Sequence, residues 1–284
     1  MNTGDYNRKG VRLQNGCEVS YIDEGAGEQC IVFVHGLSNY AMGWRKNIDE
    51  LKQYYRCIAI DLPGNGYSGR GDYPYSMDFF ADCLRQFVEA LKLKNVCLCG
   101  HSMGGQVVLT ATLKYPRLAE KLVLCAPAGF EVFNSAERSL YMTSIQLFDI
   151  FSSEENSLRK VLQNSFYLFP GQAREMVDEL TMLLKAYPLK EYRAMIEACV
   201  YGMLHEPVFD RLHEIMQPTL VLYGERDALI PTRALHPVPT RQIAEQGTNR
   251  IPAAELHMLP RCGHFLQWEK ANDVNYYMRQ FLSF

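Results

Sequence analysis

What this chain lacks narrows it first. No apolar run approaches the roughly twenty residues needed to cross a bilayer, so no membrane span is expected. No cluster of basic residues stands out either. The 29 lysines and arginines against 32 acidic residues leave a net charge of −3, which offers no footprint for nucleic acid. Residues 1–6 are polar and lack the apolar centre of a signal peptide. Metal ligands do not gather: Cys97 and Cys99 are too close for a zinc knuckle, and no paired histidines follow them. No metal and no cofactor is expected. Nine cysteines is an odd number, and Cys57, Cys97, Cys99 and Cys125 fall inside apolar runs. They read as small buried hydrophobes in a reducing, cytoplasmic setting rather than as a disulfide framework. Repeats, low-complexity tracts and long linkers are missing as well. Nothing in the composition points to an oligomeric state.

What is present is an alternation of strand and helix signals. Residues 11–24 alternate as two short strands around Gln14-Asn15-Gly16, a hairpin turn. Continuous apolar runs at 30–34, 57–60, 96–99, 121–125 and 219–223 have the pattern of strands buried on both faces, and Leu256-His257-Met258-Leu259 reads as the last strand. Between them lie helical stretches at 44–54, 76–91, 103–113 and 241–246, and a last one closes the chain from about residue 268. This order predicts an α/β fold, a mostly parallel central sheet with helices on both faces. The alternation stops between about residues 134 and 204, where only helical pattern appears. A capping box at Asn134-x-x-Glu137 opens it. Leu140, Tyr141, Ile145, Phe148 and Phe151 follow, and Pro170-Gly171 and Pro188 divide what remains. We read 1–130 and 206–284 as the core and 131–205 as an inserted all-helical lid. Its richness in Met, Phe and Tyr suggests an apolar, adaptable surface over the site, with most stripe residues serving as lid core.

The densest signal is Val96-Cys97-Leu98-Cys99-Gly100-His101-Ser102-Met103-Gly104-Gly105, a strand that runs through Gly-x-Ser-x-Gly directly into a helix. A nucleophilic hydroxyl on a strained turn needs neighbours without side chains, so that the chain can fold back tightly. The motif taken alone equally suits a helix N-terminus capped by Ser102. Two other residues stand just past predicted strands, Asp227 and His264. In a parallel sheet those strand ends share one edge, where such folds place ligands. His35, after the first buried strand, reads as structural, while Gly36 lets the Leu37 backbone N–H approach a ligand. Asp61 reads as an acid that ties down its turn, with a catalytic role as the alternative.

Together, His35-Gly36, Asp61-x-x-Gly64-x-Gly66-x-Ser68, Gly100-His101-Ser102-Met103-Gly104-Gly105, Gly224-x-x-Asp227 and Gly263-His264 resemble the α/β-hydrolase-fold serine hydrolases of the lid-bearing type. The resemblance implies a triad of Ser102, Asp227 and His264, and an oxyanion hole made by the backbone N–H groups of Leu37 and Met103. Glu225 is the rival acid on the same loop. The expected substrate is a small apolar ester or thioester. Cys262-Gly263-His264-Phe265-Leu266-Gln267-Trp268-Glu269 also resembles hydrolases that cleave carbon–carbon bonds in ring-fission dienoates. A serine where epoxide hydrolases and haloalkane dehalogenases have aspartate argues against those chemistries. A small-molecule receptor with little turnover is the alternative of another kind.

Overall fold

Five apolar runs of the sequence become the centre of one eight-stranded sheet. The computed structural model describes residues 6–147 and 155–283. The strands are β1 (Arg8–Arg12), β2 (Glu18–Glu24), β3 (Cys30–Val34), β4 (Arg56–Ile60), β5 (Val96–His101), β6 (Lys121–Cys125), β7 (Thr219–Gly224) and β8 (Ala254–Leu259). Their spatial order is β1-β2-β4-β3-β5-β6-β7-β8. β1 and β2 form the antiparallel hairpin, β2 runs antiparallel to β4, and every pairing from β4 to β8 is parallel. β3, β5 and β7 are buried at every position because helices cover both faces. Branched, apolar side chains such as Val32, Ile58, Leu98 and Val221 therefore lie wholly out of water.

The covering helices obey the patterns that announced them. These are α1 (Arg45–Leu51), α2 (Met77–Ala90) and α3 (Met103–Lys114). Ser76 caps α2, its Oγ accepting from Phe79 N–H at 3.0 Å, and Phe80, Leu84 and Phe87 form the buried stripe. α3 has no such stripe. It is buried nearly all round because it leaves the middle of the sheet and runs beneath α2.

Between β6 and β7 lie α4 (Ser135–Leu147), α5 (Glu155–Asn164), α6 (Arg174–Lys185) and α7 (Leu189–His205), with no strand among the described residues. The capping box forms: Glu137 N–H donates to Asn134 Oδ1 at 3.0 Å, and Asn134 N–H to Glu137 Oε2 at 2.7 Å. Phe148 and Phe151 lie outside the described residues. Leu140 is 60% exposed, so the α4 stripe is narrower than its sequence suggests. α6 is tied to the sheet edge by Glu179, which accepts from Tyr40 Oη at 2.8 Å and Tyr67 Oη at 2.9 Å beside Arg8. The chain ends with α8 (Thr240–Thr248), α9 (Leu266–Glu269) and α10 (Ala271–Leu282). A break at Lys270 divides the single closing helix that the sequence suggested. All nine cysteines are buried thiols. No helix among the described residues is long and apolar enough to cross a membrane.

Candidate active site

β3 and β5 are neighbours, with Val34 beside Gly100. Their C-terminal ends therefore bring His35-Gly36-Leu37 against Gly100–Ser102. Ser102 has φ 53° and ψ −121°, in the sterically costly region for a residue with a side chain. Such a conformation costs on the order of 1–3 kcal/mol and persists only where the surroundings hold it. Ser102 N–H donates to Cys125 O at 3.0 Å, and Ser102 O accepts from Gly105, Gln106 and Ala128. The glycines on either side are required by space. A Cβ on Gly100 would stand 2.4 Å from Gly104 O, and one on Gly104 would stand 2.4 Å from both His35 O and Val34 O. Gly36 leaves room for the Ser102 side chain, since a Cβ there would lie 3.0 Å from Ser102 Cβ. Ser102 Oγ makes no hydrogen bond among the described residues and faces a cavity.

β7 and β8 deliver the other two groups. Gly224 lies opposite Leu259, and the loops beyond them cross so tightly that a Cβ on Gly224 would meet Gly263 O at 2.2 Å. This crossing brings Asp227 to His264, whose Nδ1 donates to Asp227 Oδ2 at 2.8 Å. Both are almost fully buried. Asp227 Oδ1 accepts from Leu229 N–H at 2.8 Å and Ile230 N–H at 3.0 Å, so the carboxylate has one orientation. Asp227 itself is not in the cavity wall, whereas His264 and Ser102 both are.

Two residues that the sequence reading quoted within its motifs, without giving either a role, hold the His264 loop. His101 Nε2 donates to His264 O at 2.9 Å, while its buried Nδ1 has no hydrogen-bond partner among the described residues. Burial and the neighbouring His264 hold the His101 pKa well below the usual imidazole range, so it is neutral. Glu269 accepts from Gly263 N–H at 2.9 Å and from Tyr167 and Leu168 N–H at 3.0 and 3.1 Å. His264 N–H in turn donates to Ser165 O at 2.9 Å. The inserted helices and the histidine loop are thus stitched together. Nothing in the sequence announces this, because the partners lie about a hundred residues apart.

The remaining candidates separate cleanly. His35 Nε2 accepts from Leu62 N–H at 3.0 Å and Nδ1 donates to Gly36 O at 2.7 Å, and burial pushes its pKa down to about 4. It joins two loops and is absent from the cavity wall. Asp61 is fully buried and accepts from Ala41 N–H at 2.6 Å, Tyr67 N–H at 3.0 Å and Arg8 Nη1 at 3.1 Å. It organises its turn, as expected. Glu225 is exposed and pairs with Arg241 at 3.3 Å, away from His264. The backbone N–H groups of Leu37 and Met103 have no protein acceptor among the described residues, and Leu37 lines the cavity beside Ser102.

The cavity has a volume of about 550 Å³. Leu37, Ile145, Leu162, Met203, Leu229 and Phe265 make most of its wall apolar. Tyr141 and Ile145 of α4 face this space, whereas the sequence pattern suggested a packed interior for such stripe residues. Glu131 and Arg233, on loops that follow β6 and β7, are the carboxylate and the guanidinium in the described wall. Both stand at the sheet edge that carries the triad candidates, a position the strand pattern could have flagged.

Comparison with known proteins points the same way. A family model described as alpha/beta hydrolase fold matches residues 29–271. The chain is 30% identical over 284 residues to the 2-hydroxy-6-oxononadienedioate/2-hydroxy-6-oxononatrienedioate hydrolase of Paraburkholderia phymatum, covering 95% of this chain and 93% of that protein. It is 27% identical to epoxide hydrolase 2 of Caenorhabditis elegans, covering 98% and 81% respectively. The esterase EaEST from Exiguobacterium antarcticum superposes with a TM-score of 0.82 at 20% identity, over 97% of this chain and 99% of that one, a likeness of fold.

Proposed function

The chain belongs to the α/β-hydrolase fold family, and within it we propose a serine hydrolase that cleaves a carboxylic ester or thioester with an apolar acyl part. The observation that carries this reading is a strained, unbonded Ser102 hydroxyl sharing an apolar cavity with a histidine that a buried aspartate orients. Residues 131–205 act as the lid of a core formed by 1–130 and 206–284.

In this mechanism the substrate carbonyl enters between Ser102 and the N–H groups of Leu37 and Met103. Ser102 Oγ attacks the acyl carbon, and its proton passes to His264 Nε2. The hydrogen bond between these two side chains tightens with substrate in place. Asp227 keeps the Nδ1 proton of His264 in position and stabilises the imidazolium. The two N–H groups meet the charge that develops on the carbonyl oxygen, each worth roughly 3–4 kcal/mol of barrier. The intermediate collapses, His264 returns its proton to the departing alcohol or thiol, and the acyl group remains on Ser102. Water, deprotonated by His264, then releases the acid.

Cleavage of a carbon–carbon bond by the same groups is the second reading. It is supported by the identity to the Paraburkholderia phymatum hydrolase along nearly the whole chain. One pair of assays separates the two. On p-nitrophenyl esters, kcat/KM should rise from acetate to an intermediate acyl length and then fall. Each buried methylene adds about 0.8 kcal/mol until the cavity is full. On a 2-hydroxy-6-oxo-dienoate, turnover should be slower than on the best ester. A hundredfold preference for the dienoate overturns the ester reading, and no turnover of either substrate overturns both.

A further inference from the structure

We propose that Arg233 is a specificity-determining residue that binds a carboxylate carried by the substrate away from the bond to be cleaved. This inference rests on the serine-hydrolase reading and narrows its substrate to an ester with an anionic far end.

Arg233 stands in the wall of the Ser102 cavity, six residues beyond Asp227, on the loop that follows β7. Its guanidinium has five donors. Two of them reach backbone carbonyls, Asp227 O at 3.4 Å and Val238 O at 3.5 Å, both at the long limit of hydrogen bonding. No carboxylate lies within 4.0 Å of it among the described residues. The acids that could have neutralised it are committed elsewhere. Glu131 shares the cavity wall, but its carboxylate accepts from Thr232 N–H at 2.8 Å and sits 2.6 Å from His236 Nδ1. Asp227 is filled by His264 and two backbone N–H groups.

A cation that borders an apolar cavity and leaves most of its donors unused matches a planar anion. A carboxylate takes two parallel N–H donors from one guanidinium, which a neutral ester terminus cannot do. Arg233 is exposed, so it is placed at the rim. The anion would rest there while the apolar segment between it and the ester fills the cavity. The bond to be cleaved would then reach Ser102.

The test compares p-nitrophenyl hydrogen glutarate with p-nitrophenyl pentanoate, which match in length and differ in charge. It is run on the wild type, Arg233→Gln and Arg233→Lys, with thermal melts to confirm folding. The quantity read is the ratio of kcat/KM for the anionic ester over the neutral one. Arg233→Gln should lower that ratio about tenfold, mostly through KM, and Arg233→Lys should recover part of it. In the wild type the ratio should fall as salt rises, and in Arg233→Gln it should be flat. An unchanged ratio in Arg233→Gln overturns the proposal while leaving the esterase reading intact. If neither ester is turned over, the esterase reading fails instead. Glutarate binding to Ser102→Ala, with and without Arg233→Gln, then decides the matter by calorimetry: weaker binding to the double variant supports the proposal, and equal binding overturns it.

Discussion

Replacing Asp227 with asparagine reaches furthest into the proposed chemistry. In the native site Oδ1 accepts two backbone N–H groups at 2.8 and 3.0 Å, and Oδ2 accepts from His264 Nδ1 at 2.8 Å. An asparagine keeps its one oxygen toward the two N–H donors, since turning it round would leave both buried and unpaired. Its NH2 must therefore take the Oδ2 position. That group donates, so His264 Nδ1 has to become an acceptor and the ring proton moves to Nε2. A histidine protonated there cannot take the proton of Ser102. The expected loss is roughly 10⁴ in kcat, equivalent to about 5.5 kcal/mol of transition-state stabilisation. Stability should change little, because both backbone donors stay satisfied. Steady-state rates on the best p-nitrophenyl ester, with a thermal melt of the same preparation, read both quantities. Glu225→Gln is the control: its carboxylate is exposed and paired with Arg241, and the loss should be less than twofold. A loss below tenfold in Asp227→Asn, or an equal loss in Glu225→Gln, would refute the assignment.

Three further outcomes follow from the geometry. Ser102→Ala should lower kcat by a factor on the order of 10⁴–10⁶, and a fluorophosphonate should no longer label the protein. Ser102→Gly should be equally inactive yet melt higher than Ser102→Ala, by about 1 kcal/mol of stability, because glycine accepts φ 53° without strain. Asp61→Ala strands the buried Ala41 N–H, frees the part-buried Tyr67 N–H and removes one of the two acids that Arg8 meets, and should cost about 3–5 kcal/mol in denaturant unfolding. The folded fraction should keep its kcat within about fivefold, and a loss like that of Asp227→Asn would make Asp61 the catalytic acid. His35, with its pKa pushed down to about 4, stays neutral where the unfolded chain's imidazole, near 6.5, takes a proton. The stabilisation present above pH ~6.5 is therefore lost as pH falls towards 4, by roughly 3 kcal/mol, and His101 adds to it in the same direction. Melting temperatures from pH 7.5 to 4.5 should fall accordingly and fall less steeply in His35→Gln, and a flat wild-type profile would contradict the buried neutral histidines.

The strand and helix order, the elbow at Ser102 and the capping box at Asn134 could all be read from the sequence, because each is written in neighbouring residues. An apolar run such as 30–34 can only be satisfied by burial on both faces, and a serine between glycines at a strand end signals its own turn. The positions of Asp227 and His264 at strand ends were legible for the same reason. The family resemblance implied Asp227 as the acid, while tertiary structure set it against His264. Asp61, Glu225 and Asp227 all follow strands, and the crossing of the loops at Gly224 and Gly263 selects Asp227. It also decided that Leu140 faces water while Tyr141 and Ile145 face the cavity, since a helical period says which residues share a side and not what that side meets. His101 and Glu269 hold the histidine loop through bonds to residues about a hundred or more positions away in the chain. Arg233 looks like any surface arginine until the fold sets it in the wall of the cavity that holds Ser102 and turns the carboxylates described around it to other partners. A side chain's role of this kind depends on distances across the sheet, which no local pattern encodes.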